Sequence, residues 1–220
     1  MKPNLFCATE HDPVEEAAMP RKPRPITPGL PHHTISRFVN RERRLLGHED
    51  RDAYLRSLAR ARHHHSVRIL SFALMSTHVH LALVGETEPI GKLLHRTNTS
   101  FGMRWNRHHD GLGPVVAHRP KSIVVETGEQ LARLVAYQHN NPHRAGLVDC
   151  PSKSDWTSHR IYIGEQPCPA FLDVEWALAA MGFSATPSGR LAFHEYTRSR
   201  RFLTRDPSLS GAGPSSVVKA

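Results

Sequence analysis

The stretch VRILSFALMSTHVHLALV, from Val67 to Val84, decides the architecture. It is rich in apolar residues almost throughout. Its branched and aromatic residues, and the Ser76-Thr77 interruption near its middle, favour two strands or a hairpin over one helix. Side chains on a strand alternate faces, so His78 and His80 point one way and Val79 the other.

Upstream, His33 to Val39 (HTISRFV) reads as a first strand, with Thr34, Ser36 and Phe38 alternating against Ile35, Arg37 and Val39. Glu49 to Ala61 reads as a helix, in which Tyr54, Leu55 and Leu58 form an apolar stripe. Its acids come early and its arginines late, as the helix dipole favours. Downstream, Ile90 to Asn106 is a second helix and Ser122 to Glu126 a short strand. Thr127 to Asn140 is the clearest helix. Thr127 and Gln130 fit a capping box, Leu131, Leu134 and Val135 make the buried stripe, and Pro142 is expected to stop it. The order β, α, β, β, α, β, α predicts an α+β fold with helices packed on an antiparallel sheet.

The 220 residues include 29 Lys+Arg against 20 Asp+Glu, a formal net charge of +9, and 17 His. With 39% hydrophobic residues the chain is globular in composition rather than disordered or fibrous. Eighteen of the basic and eleven of the acidic residues fall in 31–158, which puts a net +7 there. Such a basic domain points to a polyanionic partner. Cys7, Cys150 and Cys168 are odd in number and far apart, so neither a disulfide framework nor a CxxC metal clip is expected. No apolar run is long enough to span a membrane and the start lacks a signal-peptide pattern, so a cytoplasmic protein without membrane contact is expected. Residues 1–30 read as a disordered leader and 206–220 as a frayed tail. Between the basic region 31–158 and that tail, 159–205 reads as a helical extension, with Trp176, Leu178 and Met181 as its apolar stripe.

Two places carry the elements of chemistry. Two imidazoles a pleat apart, His78 and His80, are a natural pair of metal ligands, although half-exposed strand histidines in a His-rich chain match the same pattern. The run His63-His64-His65 sits at a helix end and reads as a solvated tract. The second place is Tyr137-Gln-His-Asn-Asn141, where Tyr137 and Asn141 share a face if the helix persists. A phenol beside a carboxamide is a poor base but a usable nucleophile where a metal polarises its target. A packed Tyr137 with Asn141 as helix cap accounts for the same residues.

Taken together and in order, STHVHLALV, YQHNNPHRAGLV and SDWTSHRIY resemble the single-tyrosine HUH transposase family, in its REP-associated tyrosine transposase branch. The resemblance extends to HHTISR near position 33, EDRDAYLRSL at Glu49 and NTSFGMRWNR at Asn98, and more weakly to FLDVEWALAAMG at Phe171. It implies a ferredoxin-like or RRM-like domain that cleaves and rejoins single-stranded DNA. By the same resemblance Tyr137 corresponds to the nucleophile of a 5′-phosphotyrosine link. His78, His80 and Asn141 correspond to the ligands of Mg²⁺ or Mn²⁺. The implied partner is hairpin or single-stranded DNA, with monomer and homodimer both open. Arg37, Arg104, Arg107, Arg119, Lys121 and Arg144 lie in or beside matching stretches and are candidates for phosphate contacts. Two departures stand out. Phe38 stands where the family's first-strand motif has Gly, and VVAHRPKS lacks the aromatic expected before its Arg. A non-catalytic DNA-binding protein of this fold, and a metallohydrolase of small phosphoesters that needs His78 and His80 but not Tyr137, are the competing functions.

Overall fold

The computed structural model describes residues 27–201. Most of the leader and all of the tail fall outside these residues. Val67–Met75 (β2) and His78–Gly85 (β3) form the expected hairpin, closed at the Met75–His78 pair. Pro31–Arg37 (β1) pairs antiparallel with the other side of β3, and Lys121–Val124 (β4) pairs with β1, giving the order β2-β3-β1-β4. This is an α+β fold on a four-stranded antiparallel sheet.

Both faces of the sheet are covered, which explains the unbroken apolar run in β2 and β3. His48–His63 (α1) and Ile90–His108 (α2) pack on one face, where Tyr54, Leu58, Leu93 and Phe101 meet Leu81 and Leu83 in the core. Each such side chain contributes about 1.5–3 kcal/mol by its burial. Gly128–Arg144 (α3) packs across the opposite face. It starts on Thr127, whose hydroxyl accepts from the Gln130 N–H, while the Gln130 side chain accepts from the Glu126 N–H.

The first strand stops at Arg37, two residues sooner than its alternation predicts. Phe38 then turns into the helical core against Phe101, at 5.9 Å between ring centroids. The expected stop at Pro142 is also displaced, because α3 continues through it to Arg144. What ends the helix is Gly146, at φ +69°, where the Gly146 N–H donates to the His143 carbonyl and the Leu147 N–H to the Pro142 carbonyl. That double bond pattern with a left-handed glycine closes the last turn. A proline in the last turn removes one hydrogen bond without preventing the chain from staying helical. Asn141 is therefore inside the helix, and Ala145 is the cap.

The far end of the chain covers the outer edge of β2. The Leu74 N–H donates to the Trp156 carbonyl, the Ser158 N–H to the Phe72 carbonyl and the Asp173 N–H to the Ile69 carbonyl. These bonds occupy an edge that otherwise invites pairing with another chain. His159–Tyr162 (α4), Val174–Ala180 (α5) and Pro187–Ser199 (α6) follow, with Phe193 buried and the Asn140 amide donating to the Thr197 carbonyl. Among the described residues no helix is long and apolar enough to cross a membrane.

Candidate active site

Strand register builds the site. His78 is paired with Arg37 and His80 with Ile35, and directly paired residues point to the same face of a sheet. His33, Ile35, Arg37, His78 and His80 therefore share the face that α3 covers. Ser36 points the other way, where its hydroxyl accepts from the Asn98 amide of α2.

On the α3 face four rings meet. The His78 and His80 centroids are 4.7 Å apart and edge-on. Tyr137 stands edge-on to His80 at 5.9 Å and to His33 at 6.3 Å. His33 Nε2 and His80 Nδ1 are 2.8 Å apart, and His78 Nδ1 is 2.9 Å from the Thr77 hydroxyl. An imidazole fixed through Nδ1 presents Nε2 to a ligand, and a partner of this kind is the usual means of orienting a metal-binding ring. Asn141 lies one helical turn beyond Tyr137 on the same side of α3. Its amide nitrogen is buried with no hydrogen-bond partner among the described residues. No group of three His, Cys, Asp or Glu among the described residues is arranged to hold a metal. The carboxamide oxygen of Asn141 is of a donor type that suits Mg²⁺ or Mn²⁺.

The candidate DNA contacts separate into three groups. Arg37 sits across from His78, and Lys121 is in register with Ile35, so both belong to the site face. Arg144 is exposed, with its guanidinium carbon 5.3 Å from the Tyr137 ring centre. Arg119 lines a cavity of about 600 Å³ between α2 and the loop before β4. Arg104 and Arg107 lie on the exposed side of α2, across the sheet from Tyr137. Phe38 points to that helical side too, so its bulk does not reach the four rings. Trp105 is packed, with its indole N–H on the Arg44 carbonyl and the Arg44 guanidinium 3.9 Å over its ring.

Two features were not assigned in the sequence. His33 lies in the HHTISR stretch, but its role follows from the pairing of β1 with β3, which a single sequence does not display. The second is a buried chain behind α3. The Ser158 hydroxyl is 2.8 Å from His139 Nε2, His139 Nδ1 is 3.1 Å from His159 Nδ1, and His159 Nε2 is 2.9 Å from His194 Nδ1. Because Ser158 Oγ already accepts from the Phe72 N–H, its own proton is best donated to His139. Each imidazole can then donate to the next, and all three are satisfied while neutral. Burial, followed by the neighbouring His159, pushes His139 well below the usual imidazole range. Burial, followed by His194, lowers His159 to about 3.

Neither a protein-family model nor a curated protein matches this chain. Among solved structures, the chain is similar to a REP-associated tyrosine transposase bound to a REP hairpin. The match has a TM-score of 0.58 and 15% identity, and covers 70% of this chain and 92% of that one. At this identity the likeness establishes the fold.

Proposed function

We propose that this chain cleaves and rejoins single-stranded DNA at hairpin sequences through a covalent link to Tyr137. The observation that carries this is the meeting of Tyr137 with His80 and His33 on one sheet face, with His78 beside them. The structural neighbour, bound to a hairpin, supports the choice of DNA.

His78, His80 and Asn141 would hold Mg²⁺ or Mn²⁺. When bound, such an ion neutralises the non-bridging oxygens of a phosphodiester so that an anionic nucleophile can approach. The chain's own residues do the rest. With an ion held there, a proton on His80 Nδ1 would donate to His33 Nε2, 2.8 Å away, and fix the ring. The Nδ1–H of His78 donates in the same way to the Thr77 hydroxyl. Tyr137 Oη attacks the phosphorus, the bond to O3′ breaks, and the proton given up by the phenol is balanced by the one taken by the leaving 3′-hydroxyl. The new phosphotyrosine ester keeps the phosphodiester energy, so a 3′-hydroxyl can reverse the step and rejoin a strand. Arg144 and Arg37 flank the reacting groups as cations for the phosphates.

The test is incubation of the protein with a single-stranded hairpin and Mn²⁺, followed by denaturing electrophoresis. Wild-type protein gives a denaturation-resistant adduct. Tyr137→Phe gives none while binding the hairpin to within about twofold. An adduct with Tyr137→Phe overturns the mechanism.

A further inference from the structure

On the helical side of the sheet, away from Tyr137, α1 and α2 leave a groove between them. One part encloses about 940 Å³ and the adjoining part about 190 Å³, and the two share Ser57, Arg60, Ser100 and Met103. Its walls are basic. Arg56 and Arg60 come from α1, Arg96, Arg104 and Arg107 from α2, and His64 follows the end of α1. Among the described residues no Asp or Glu lines either part.

Some arginines of this protein are tied to carboxylates. Arg68, Arg160 and Arg198 each bind a carboxylate. Among the described residues none of the five groove arginines has a carboxylate within ion-pair distance, and all five are exposed. Asp52, one turn before Arg56 on the exposed stripe of α1, pairs with none of them. Unpaired like charges held by two rigid helices repel one another, and the fold gains nothing from placing them together. A row of anions relieves that repulsion. From Lys92 to Arg107 the groove wall on α2 runs about 22 Å at 1.5 Å per residue. Along B-DNA, one strand places a phosphate about every 3.4 Å of axis, or about six over this length. Surfaces that grip single strands stack bases on aromatic rings. Among the described residues the groove is lined by no Phe, Tyr or Trp, so the backbone of a duplex suits it better.

We infer that the α1–α2 groove is a second DNA surface, which holds the phosphate backbone of duplex DNA while Tyr137 acts on a single strand at the opposite face. The inference rests on the proposed DNA chemistry and gives Arg104 and Arg107 a role remote from the reacting groups.

The experiment is fluorescence anisotropy with a blunt duplex of roughly 20 base pairs and with an unstructured single strand of equal length, across a salt series. The double variant Arg56→Gln/Arg60→Gln should bind the duplex at least tenfold more weakly. Its log–log salt slope should be shallower by about 2, at about 0.9 for each phosphate that the variant no longer neutralises. Arg104→Gln/Arg107→Gln, on the other helix, should reproduce the change independently of any effect on α1. Single-strand binding should stay within about twofold, and adduct yield at saturating hairpin should be unchanged in Arg56→Gln/Arg60→Gln. Unchanged duplex affinity and slope in both variants overturns the inference, and so does an equal loss for the single strand. Duplex binding that depends on these arginines, without any adduct from wild-type protein, keeps the groove and removes the proposed function. Adduct formation with duplex binding indifferent to the arginines does the reverse.

Discussion

Helix α3 stands between two groups of histidines, and they are built on different principles. On the sheet side, His33, His78 and His80 are placed by the register of β1 and β3, with Tyr137 edge-on to two of them and His78 partly exposed. On the other side, His139 and His159 are fully buried, satisfied in a line from Ser158 to His194, and held neutral by burial. Beside the first group the Asn141 amide nitrogen is buried without a partner among the described residues. The second spends its hydrogen bonds on joining α3, α4 and α6 to the edge of β2. A histidine that can bind a ligand and a histidine that staples a core are thus separated by what faces them, not by their spacing in the chain.

Removing one ring from each side should have opposite consequences. His80→Ala should reduce adduct formation at least 100-fold while leaving most of the thermal stability. His139→Ala empties a site packed against Tyr162 and Phe193, and should cost about 3 kcal/mol in urea denaturation. If His139→Ala were as stable as wild type, the buried chain would not be a structural staple.

Acid should act on the buried group first. Both imidazoles are lowered in the folded protein, so the unfolded chain binds protons that the folded one refuses. Stability is then complete above the ordinary histidine value of about 6.5 and falls as pH drops below it, continuing toward the folded value of about 3 for His159. Each group contributes up to about 1.4 kcal/mol per pH unit within that window. Urea denaturation between pH 7 and pH 5 should show the loss, and His159→Gln should make the slope shallower by up to one group's share. An equal slope in the variant would remove His159 from the explanation.

His33 tests the sheet side at a smaller scale. It is proposed to orient His80, so His33→Ala should weaken Mn²⁺ binding by about 10- to 100-fold, the usual range for such supporting groups. Titration of Mn²⁺ against the DNA-free protein measures this apart from any strand cleavage. Unchanged affinity would leave His33 as packing only.

Much of this molecule was legible in its residues. The apolar run around Ser76-Thr77 gave the hairpin, and the stripe after Thr127 gave α3, because burial imposes a period on local sequence. The alternation His78-Val79-His80 likewise placed two rings on one face before any pairing was known. What escaped was non-local. Pro142 is read locally as a stop, yet the helix end is decided by Gly146 and the two bonds it permits. His33 joins the site only through its strand's register with β3. His139, His159 and His194 are scattered over more than fifty residues, and only the packing of α6 onto α3 brings them into line. Arg104 and Arg107 are candidates for phosphate contacts because their stretch matches, which says nothing of where they lie relative to Tyr137. Helix α2, which carries them, is on the other side of the sheet.

The smallest expected effect concerns Ser158, which ties the buried chain to the sheet. Its hydroxyl oxygen accepts from the Phe72 N–H at 3.2 Å, and its proton is directed at His139 Nε2, 2.8 Å away. Ser158→Ala removes both partners with almost no change in volume, so the loss comes from two polar groups left buried rather than from a cavity. One such group costs about 1–3 kcal/mol, but His139 can answer by changing tautomer or by admitting water, whereas the Phe72 amide cannot move from its strand. The expected total is therefore about 1–2 kcal/mol in urea denaturation, with faster hydrogen exchange at the Phe72 amide than at its neighbours in β2. Because Ser158 is on the side of α3 that faces away from Tyr137, adduct formation with hairpin DNA should stay within about twofold of wild type. A large loss of adduct in a variant that keeps its stability would mean that the two histidine groups are coupled through α3, and that the division between them is drawn too sharply.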